Sequence, residues 1–229
     1  MKYVWCEDTG SGYEFWKHIF NVVDESIVVE TKGNNTNLRK AVAGISDEDN
    51  IYYILIDNAI DNPDVLREVM RIRTIVDEKE NIKLVGVYSF ELALLSFNLL
   101  EQWVFAEEDE LKAKRNRLLS AKDSFVKLVV EGDDANALST LKENLEIDAN
   151  KNNEQLAAKL LYEITRNTGF ETDKGNLGKC FIVDCCDWIE RQKDDICGLD
   201  NDRISRVNKI KLIIENSVIK EALQKAGVM

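Results

Sequence analysis

Two short stretches decide the fold of this chain: VWCEDTG at residues 4–10 and YILIDNAIDN at residues 53–62. In each of them an apolar run stops abruptly at carboxylates, Glu7 and Asp8 in the first and Asp57 and Asp61 in the second. A short apolar run bounded by polar residues is typical of a buried strand. The acids at these strand ends either cap the helices that follow or form a cation site together.

Strand and helix patterns alternate over residues 1–105. The predicted strands are KYVWC, SIVVET, IYYILID and KLVGVYS, and a segment with helical periodicity follows each of them. The clearest helix start is Asn62 followed by Pro63, because Asn is a preferred N-cap and Pro suits the first helical position. Parallel strands need crossover helices, so this order predicts an α/β domain with a parallel sheet and flanking helices at residues 1–105.

From residue 106 onward the strand patterns stop and helical patterns replace them. We therefore predict an all-helical domain at residues 106–229, interrupted by the loop TGFETDKGNLGK. One of its predicted helices covers CFIVDCCDWIERQ, residues 180–192.

Composition and charge limit the classes of function. A hydrophobic fraction of 45% and a single proline indicate a folded chain. The net charge of −12 argues against binding nucleic acid mainly through basic contacts to phosphate, unless a bound cation supplies the positive charge. There is no apolar run of about 18 residues, so no membrane span is expected. The N-terminal stretch turns acidic too early for an export signal, which predicts a cytoplasmic protein.

The acidic strand ends predict a metal site. In parallel sheets the carboxyl ends of the strands share one edge, where ligands collect. If the first and third strands are neighbours, Glu7 and Asp57 meet there, and Asp61 follows four residues later. Carboxylates at such an edge suit Mg²⁺ or Mn²⁺, which take few protein ligands together with water and phosphate oxygens. The competing interpretation is that Asp8 and Asp61 only cap helices.

The N-terminal region resembles the Toprim domain of primases, topoisomerases and OLD-type nucleases. The resemblance rests on a glutamate after strand 1, on ETKGNNTNL after strand 2, and on an acidic turn after strand 3. It implies Mg²⁺-dependent phosphodiester chemistry on nucleic acid. By the resemblance, Glu7 is a metal ligand or general acid/base and Asp57 is a Mg²⁺ ligand. The family's second Asp position is Ala59 here, and Asp61 falls where some members carry a third acid.

Two alternatives remain open. Response-regulator receiver domains also place a pair of acids after strand 1, an Asp after strand 3 and a Ser or Thr after strand 4. Glu7 and Asp8, Asp57 and Ser89 match these positions. The fifth strand and its lysine have no counterpart in the sequence pattern. The other alternative is a non-catalytic interaction protein that keeps the fold, which Ala59 makes plausible. A protein partner or a homo-oligomer is compatible with either alternative.

The cysteines and the histidine allow fewer inferences. Four of the five cysteines, Cys180, Cys185, Cys186 and Cys197, lie within eighteen residues and could hold Zn²⁺ or an iron–sulfur cluster. The spacing lacks a Cys-x-x-Cys pair, so buried thiols on a helix are the competing interpretation. The single histidine, His18, has no neighbouring ligand in the sequence and predicts no catalytic triad.

Overall fold

The N-terminal half forms a parallel β-sheet. The computed structural model describes residues 1–57, 61–105, 112–131, 135–144, 151–173, 175–186, 197–199 and 203–229. Its strands are β1 Lys2–Cys6, β2 Ile27–Thr31, β3 Ile51–Leu55 and β4 Ile82–Val85. They form a four-stranded sheet in the order β2-β1-β3-β4, and every pairing is parallel. The predicted α/β fold is confirmed.

Helices connect the strands and make up the described part of the C-terminal region. Those of the first half are α1 Gly10–Val23, α2 Asn35–Ala43, α3 Pro63–Glu78, α4 Phe90–Leu95 and α5 Leu100–Val104. Those of the second half are α6 Lys112–Glu131, α7 Ala135–Asn144, α8 Asn153–Thr165, α9 Lys179–Ile182, α10 Arg206–Glu215 and α11 Ile219–Lys225. Among the described residues, no helix combines the length and the apolar character that crossing a membrane requires.

The sheet is covered on both faces because its crossovers run in two directions. Helix α1 leads from β1 to β2 in one direction across the sheet, whereas α2 and α3 lead in the other, so right-handed connections place them on opposite faces. On the α2/α3 face a buried cluster joins strand residues such as Ile54 to Leu38 of α2 and Ile72 of α3. Strand residues alternate between faces, and Val4 and Cys6 are fully buried on the other one.

Compact packing divides the chain differently from the predicted boundary at residue 105. One compact unit, the sheet unit, comprises Met1–Phe90, Lys174–Leu177 and Val218–Met229. The other, the helical unit, comprises Glu91–Asp173 and Gly178–Ser217. The sheet unit thus includes helix α11 from the far end of the chain. This assignment depends on contacts that are distant in sequence, which periodicity cannot reveal.

A buried arginine joins helix ends within the helical unit. Arg115 is 1% exposed, and its guanidinium donates to the backbone oxygens of Ile164 and Arg166, each at 2.7 Å, and to that of Val104 at 3.3 Å. These carbonyls lie at the C-terminal ends of α8 and α5, where the last turn of a helix lacks intrahelical donors. A cation is also favoured there by the helix dipole.

Replacing Arg115 with methionine should destabilise the helical unit. The substitution keeps an apolar stem of similar length but leaves buried carbonyl groups without a donor, at a cost of about 1–3 kcal/mol each. We expect the free energy of unfolding, measured by urea titration, to fall by about 3 kcal/mol or more, since three carbonyls lose their donor. The matched control is Arg117→Met at an exposed position of the same helix, with an expected effect within about 0.5 kcal/mol. Equal effects of the two substitutions would contradict this role of Arg115.

Candidate functional site at the carboxyl edge of the sheet

The ends of β1 and β3 form the centre of the candidate site. These strands are paired in parallel with Cys6 opposite Leu55, so the residues that follow them leave the sheet at the same edge. The order β2-β1-β3-β4 also changes direction between β1 and β3. Such a switch point opens a crevice beyond the carboxyl ends of the strands, where α/β proteins commonly bind ligands.

A direct hydrogen bond joins the two acidic strand ends. The backbone N–H of Asp57 donates to Oε1 of Glu7 at 2.8 Å, and the bond is partly buried. The predicted neighbourhood of β1 and β3, with Glu7 and Asp57 at one sheet edge, is therefore confirmed. The Glu7 carboxylate is aimed across the switch point at the residue that ends the apolar run of β3, which fixes its direction.

A buried thiol at this edge lies near three carboxylates. Burial raises the pKa of Cys6 to about 12, and the carboxylates of Asp8 and Glu7, and more weakly that of Asp57, contribute to the rise. Three carboxylates thus act on the same side chain at the end of β1. A cation placed at this edge would stabilise the ionised form of each carboxylate, because it carries the opposite charge.

Asp8 has a structural partner of its own. The indole N–H of Trp16, a side chain that is 1% exposed, donates to Oδ2 of Asp8 at 2.9 Å. The other carboxylate oxygen lies over Gly12 in the first turn of α1, where an added Cβ would overlap Asp8 Oδ1. The N-cap residue, Thr9, makes no side-chain capping bond. Asp8 therefore anchors the loop after β1 to the start of α1, beside Glu7.

Asp61 is not the capping residue of helix α3. The side chain of Asn62 caps it, accepting from the backbone N–H groups of Asp64 at 3.1 Å and Val65 at 3.5 Å, as its sequence position predicts. The exposed carboxylate of Asp61 instead accepts a hydrogen bond at 3.3 Å from the hydroxyl of Tyr88, in the loop after β4. Since β4 is the parallel neighbour of β3, this contact also lies at the carboxyl edge.

Sequence reasoning missed Tyr88 and Lys32, although both follow strands as Glu7 does. Lys32 comes directly after β2, and its Nζ lies 2.7 Å from Oε2 of Glu30 and 3.9 Å from the centre of the Trp5 ring. Its backbone N–H donates to the carbonyl of Cys6 at 2.8 Å. Ligands collect at the carboxyl ends of parallel strands, so considering every polar residue there, and not only the acids, would have identified both.

The donors at this edge fit a magnesium ion with few protein ligands. Over the described ranges, no three histidine, cysteine or acidic side chains are arranged to hold a metal ion. Mg²⁺ usually keeps several waters and takes only one or two carboxylates from the protein. The bond from the Asp57 backbone N–H to Glu7 brings two acidic residues to one sheet edge, so the magnesium hypothesis concerns two protein carboxylates and not three. Ala59, which departs from the Toprim pattern, lies outside the described residues.

The cysteine-rich segment differs from its prediction. The predicted helix at residues 180–192 is wrong over 183–186, because α9 ends at Ile182, and 187–196 lie outside the described residues. Cys180, Cys185 and Cys197 are partly buried, whereas Cys186 is exposed, so the interpretation as buried thiols on a helix is wrong at Cys186. Burial raises the pKa of Cys180 to about 11, while the charge of Lys209 opposes the shift. Among the described residues these thiols form no metal-holding group.

Comparison with known proteins adds no relative: no protein-family model, no curated protein and no solved structure matches this chain.

Substituting Gly12 with alanine tests the anchoring role of Asp8. Ala for Gly inside a helix normally adds about 1 kcal/mol of stability. Here the new Cβ would overlap the Asp8 carboxylate and weaken its bond to Trp16, so we expect a loss of about 1–2 kcal/mol in the free energy of unfolding instead. In the control Gly44→Ala the new Cβ would lie 3.4 Å from the Ala41 oxygen, an ordinary contact, and stability should be unchanged or higher. A Gly12→Ala protein as stable as the wild type would contradict the anchor.

Thiol alkylation tests the described burial of the cysteines. The thiolate is the reactive form, and a pKa of about 12 keeps Cys6 protonated at a pH of about 8. We expect iodoacetamide to modify the exposed Cys186 first in the native protein, and Cys6 only after unfolding. Peptide mass spectrometry over a time course gives the order. Early modification of Cys6 would show that the end of β1 is more open than described.

Proposed function

We propose that this protein carries out Mg²⁺-dependent phosphodiester chemistry on nucleic acid at the carboxyl edge of its sheet, in the manner of a Toprim-like nuclease. The observation that supports the proposal best is the bond from the backbone N–H of Asp57 to the carboxylate of Glu7 at the β1/β3 switch point. This bond joins the residues that the Toprim resemblance matches to the family's Glu and first Asp.

The acidic residues at this edge have different proposed roles. Glu7 and Asp57 supply the carboxylates that would hold the cation. Asp61, the third predicted ligand, lies at the same edge but forms no three-residue metal group with them in the described part of the chain. Glu7 is also the candidate general acid/base, and its bond to the Asp57 N–H fixes its orientation. When bound, Mg²⁺ supplies positive charge that polarises a phosphoryl oxygen and orients the substrate.

A bound cation would also offset the negative charge of the protein near the substrate. With a net charge of −12, the chain repels a polyanion, and the sheet edge carries several carboxylates. A bound divalent ion reverses the local charge at the place where a phosphate must approach. Lys32, at the end of the neighbouring strand β2, does not offset this charge, because its Nζ is ion-paired with Glu30 at 2.7 Å. We therefore propose that substrate affinity depends steeply on the metal concentration.

Mn²⁺ binding tests this site. Isothermal titration should show Mn²⁺ binding to the wild type, and binding at least about ten-fold weaker to Asp57→Asn and Glu7→Gln, because a charged oxygen ligand becomes a neutral amide. Both substitutions preserve size, and the amide oxygen that Glu7→Gln introduces could still accept from the Asp57 N–H. The control is Asp49→Asn, which removes the same charge at an exposed position before β3. No binding to the wild type at millimolar Mn²⁺ would contradict the metal site.

A nuclease assay then tests the chemistry. Cleavage of single- and double-stranded DNA and RNA should require Mg²⁺ or Mn²⁺ and should be lost in Glu7→Gln but retained in Asp49→Asn. Metal binding without cleavage of any of these substrates would support the alternative of a non-catalytic protein that keeps the site.

A receiver-like signalling module is the second candidate, favoured by Asp57 after β3 and by Ser89, which is 1% exposed, after β4. It requires Asp57 to accept a phosphoryl group. Incubation with acetyl phosphate and Mg²⁺ would then transfer the phosphoryl group to an Asp57 oxygen, with acetate leaving, and intact mass would show the adduct. The described sheet has four strands, so the lysine-bearing fifth strand of receivers is not found in it.

A further inference from the structure

A cleft of about 420 Å³ lies between the starts of α2 and α3 in the sheet unit. Its volume is in the range of small-molecule sites, about 300–1,000 Å³. The described residues that line it are Asn34, Asn35 and Thr36 around the start of α2, and Asp64, Val65, Arg67 and Glu68 of α3. Both helices follow strands of the parallel sheet, so the cleft lies at its carboxyl edge.

One side chain of the cleft carries an unsatisfied acceptor. The Oδ1 atom of Asn35 is buried and has no hydrogen-bond partner within the described part of the chain. Its neighbour Asn34 differs, because its Oδ1 caps α2 by accepting from the backbone N–H of Asn37 at 2.9 Å. Buried polar atoms are nearly always hydrogen-bonded, and each exception requires an explanation. A ligand in the cleft with an N–H donor would give the Asn35 amide its partner.

The charged groups of the cleft are paired with one another. The carboxylate of Glu68, a side chain that is 14% exposed, contacts Arg39 at 2.6 Å and Arg71 at 2.9 Å. The guanidinium of Arg67 lies 3.3 Å from the carboxylate of Asp64. Neither ion pair leaves an excess of positive charge, so the cleft suits a neutral ligand better than a phosphate.

The cleft also has an apolar surface. Val65 is buried and belongs to the hydrophobic cluster between the sheet and helices α2 and α3. A neutral ligand with an apolar face and a polar edge therefore fits both kinds of lining, and a nucleobase has this form. Single-stranded bases are recognised by contacts to their faces and by hydrogen bonds to their edges.

The chemistry of an asparagine amide favours one base. It forms two hydrogen bonds with adenine, accepting from the N6 amino group and donating to N7. Guanine and uracil present a carbonyl oxygen where adenine has its amino group, and cytosine has an amino group but no N7. Only adenine offers a donor for Oδ1 and an acceptor for Nδ2 side by side.

We propose that this cleft binds an adenine base of a single-stranded substrate and that the Asn35 amide recognises its N6 and N7 atoms. The identity of the substrate rests on the proposed function. The segment that leads into α2 is attached to the end of β1, because the backbone N–H of Lys32 donates to the carbonyl of Cys6 at 2.8 Å and the hydroxyl of Thr31 donates to that of Asp8. A base in the cleft thus belongs to the nucleotide chain whose phosphate reaches Glu7 at the same edge.

An NMR titration of the ¹⁵N-labelled protein with adenosine in EDTA tests the cleft without the metal. We expect adenosine to shift the amide signals of Asn35 and Val65. Inosine, which lacks the amino group, and 7-deazaadenosine, which lacks N7, should bind at least about ten-fold more weakly, because each disrupts the two-bond pairing.

Asn35→Ala should weaken adenosine binding at least about ten-fold and abolish the discrimination against inosine. Its melting temperature should be unchanged or higher, since the substitution removes an unsatisfied buried acceptor and alanine favours the helix. An asparagine with only a structural role would show the opposite, a lower melting temperature. The matched control is Asn37→Ala, at an exposed position of the same helix outside the cleft, which should bind adenosine like the wild type.

The outcomes separate this inference from the proposed function. No shift at millimolar adenosine, equal affinity for inosine, or wild-type affinity in Asn35→Ala would each overturn adenine recognition, even if Mn²⁺ binds at Glu7 and Asp57. Selective adenosine binding by a protein that binds no Mn²⁺ would support the cleft as an adenine site and overturn the proposed nuclease.

Discussion

The hydrogen bond from the Asp57 N–H to the Glu7 carboxylate is the contact on which the account of this protein depends. It forms only because β1 and β3 are adjacent and parallel, with Cys6 opposite Leu55. That adjacency follows from the crossover of α2 past β1, which makes β1/β3 the switch point of the sheet. The apolar interior of β3 and the packing of α2 and α3 therefore determine where one carboxylate points.

The acids at the sheet edge have different physical roles although their sequence contexts look alike. Asp8 is tied to the Trp16 indole and to the start of α1, so it stabilises the loop beside Glu7. Glu7 faces Asp57 across the switch point. Asp61 does not cap α3, and its carboxylate accepts a hydrogen bond from the hydroxyl of the buried Tyr88. One pattern, an apolar strand ending in acid, is thus followed by three different hydrogen bonds: from the Trp16 indole to Asp8, from the Asp57 N–H to Glu7, and from the Tyr88 hydroxyl to Asp61.

Local patterns were enough to predict the elements but not their partners. The strands and the start of α3 at Asn62 follow from apolar runs and capping chemistry, which act over a few residues. The contacts of Trp16 with Asp8 and of Tyr88 with Asp61 span 8 and 27 residues and depend on the packed fold. The helix predicted at residues 180–192 was wrong over 183–186. There the backbone N–H of Cys185 donates to the backbone oxygen of Ile204. Ile204 is distant in sequence, so hydrophobic periodicity cannot predict this contact.

A crystal structure of the protein soaked with Mn²⁺ would test the central claim most directly, because anomalous scattering locates the ion without assumptions about the ligands. We predict an anomalous peak at the carboxyl edge between β1 and β3, within coordination distance, about 2.1 Å, of carboxylate oxygens of both Glu7 and Asp57. The Glu7 carboxylate should still accept from the Asp57 N–H. A peak elsewhere, or a Glu7 side chain turned away from β3, would contradict the account and leave the acids of this edge as structural groups.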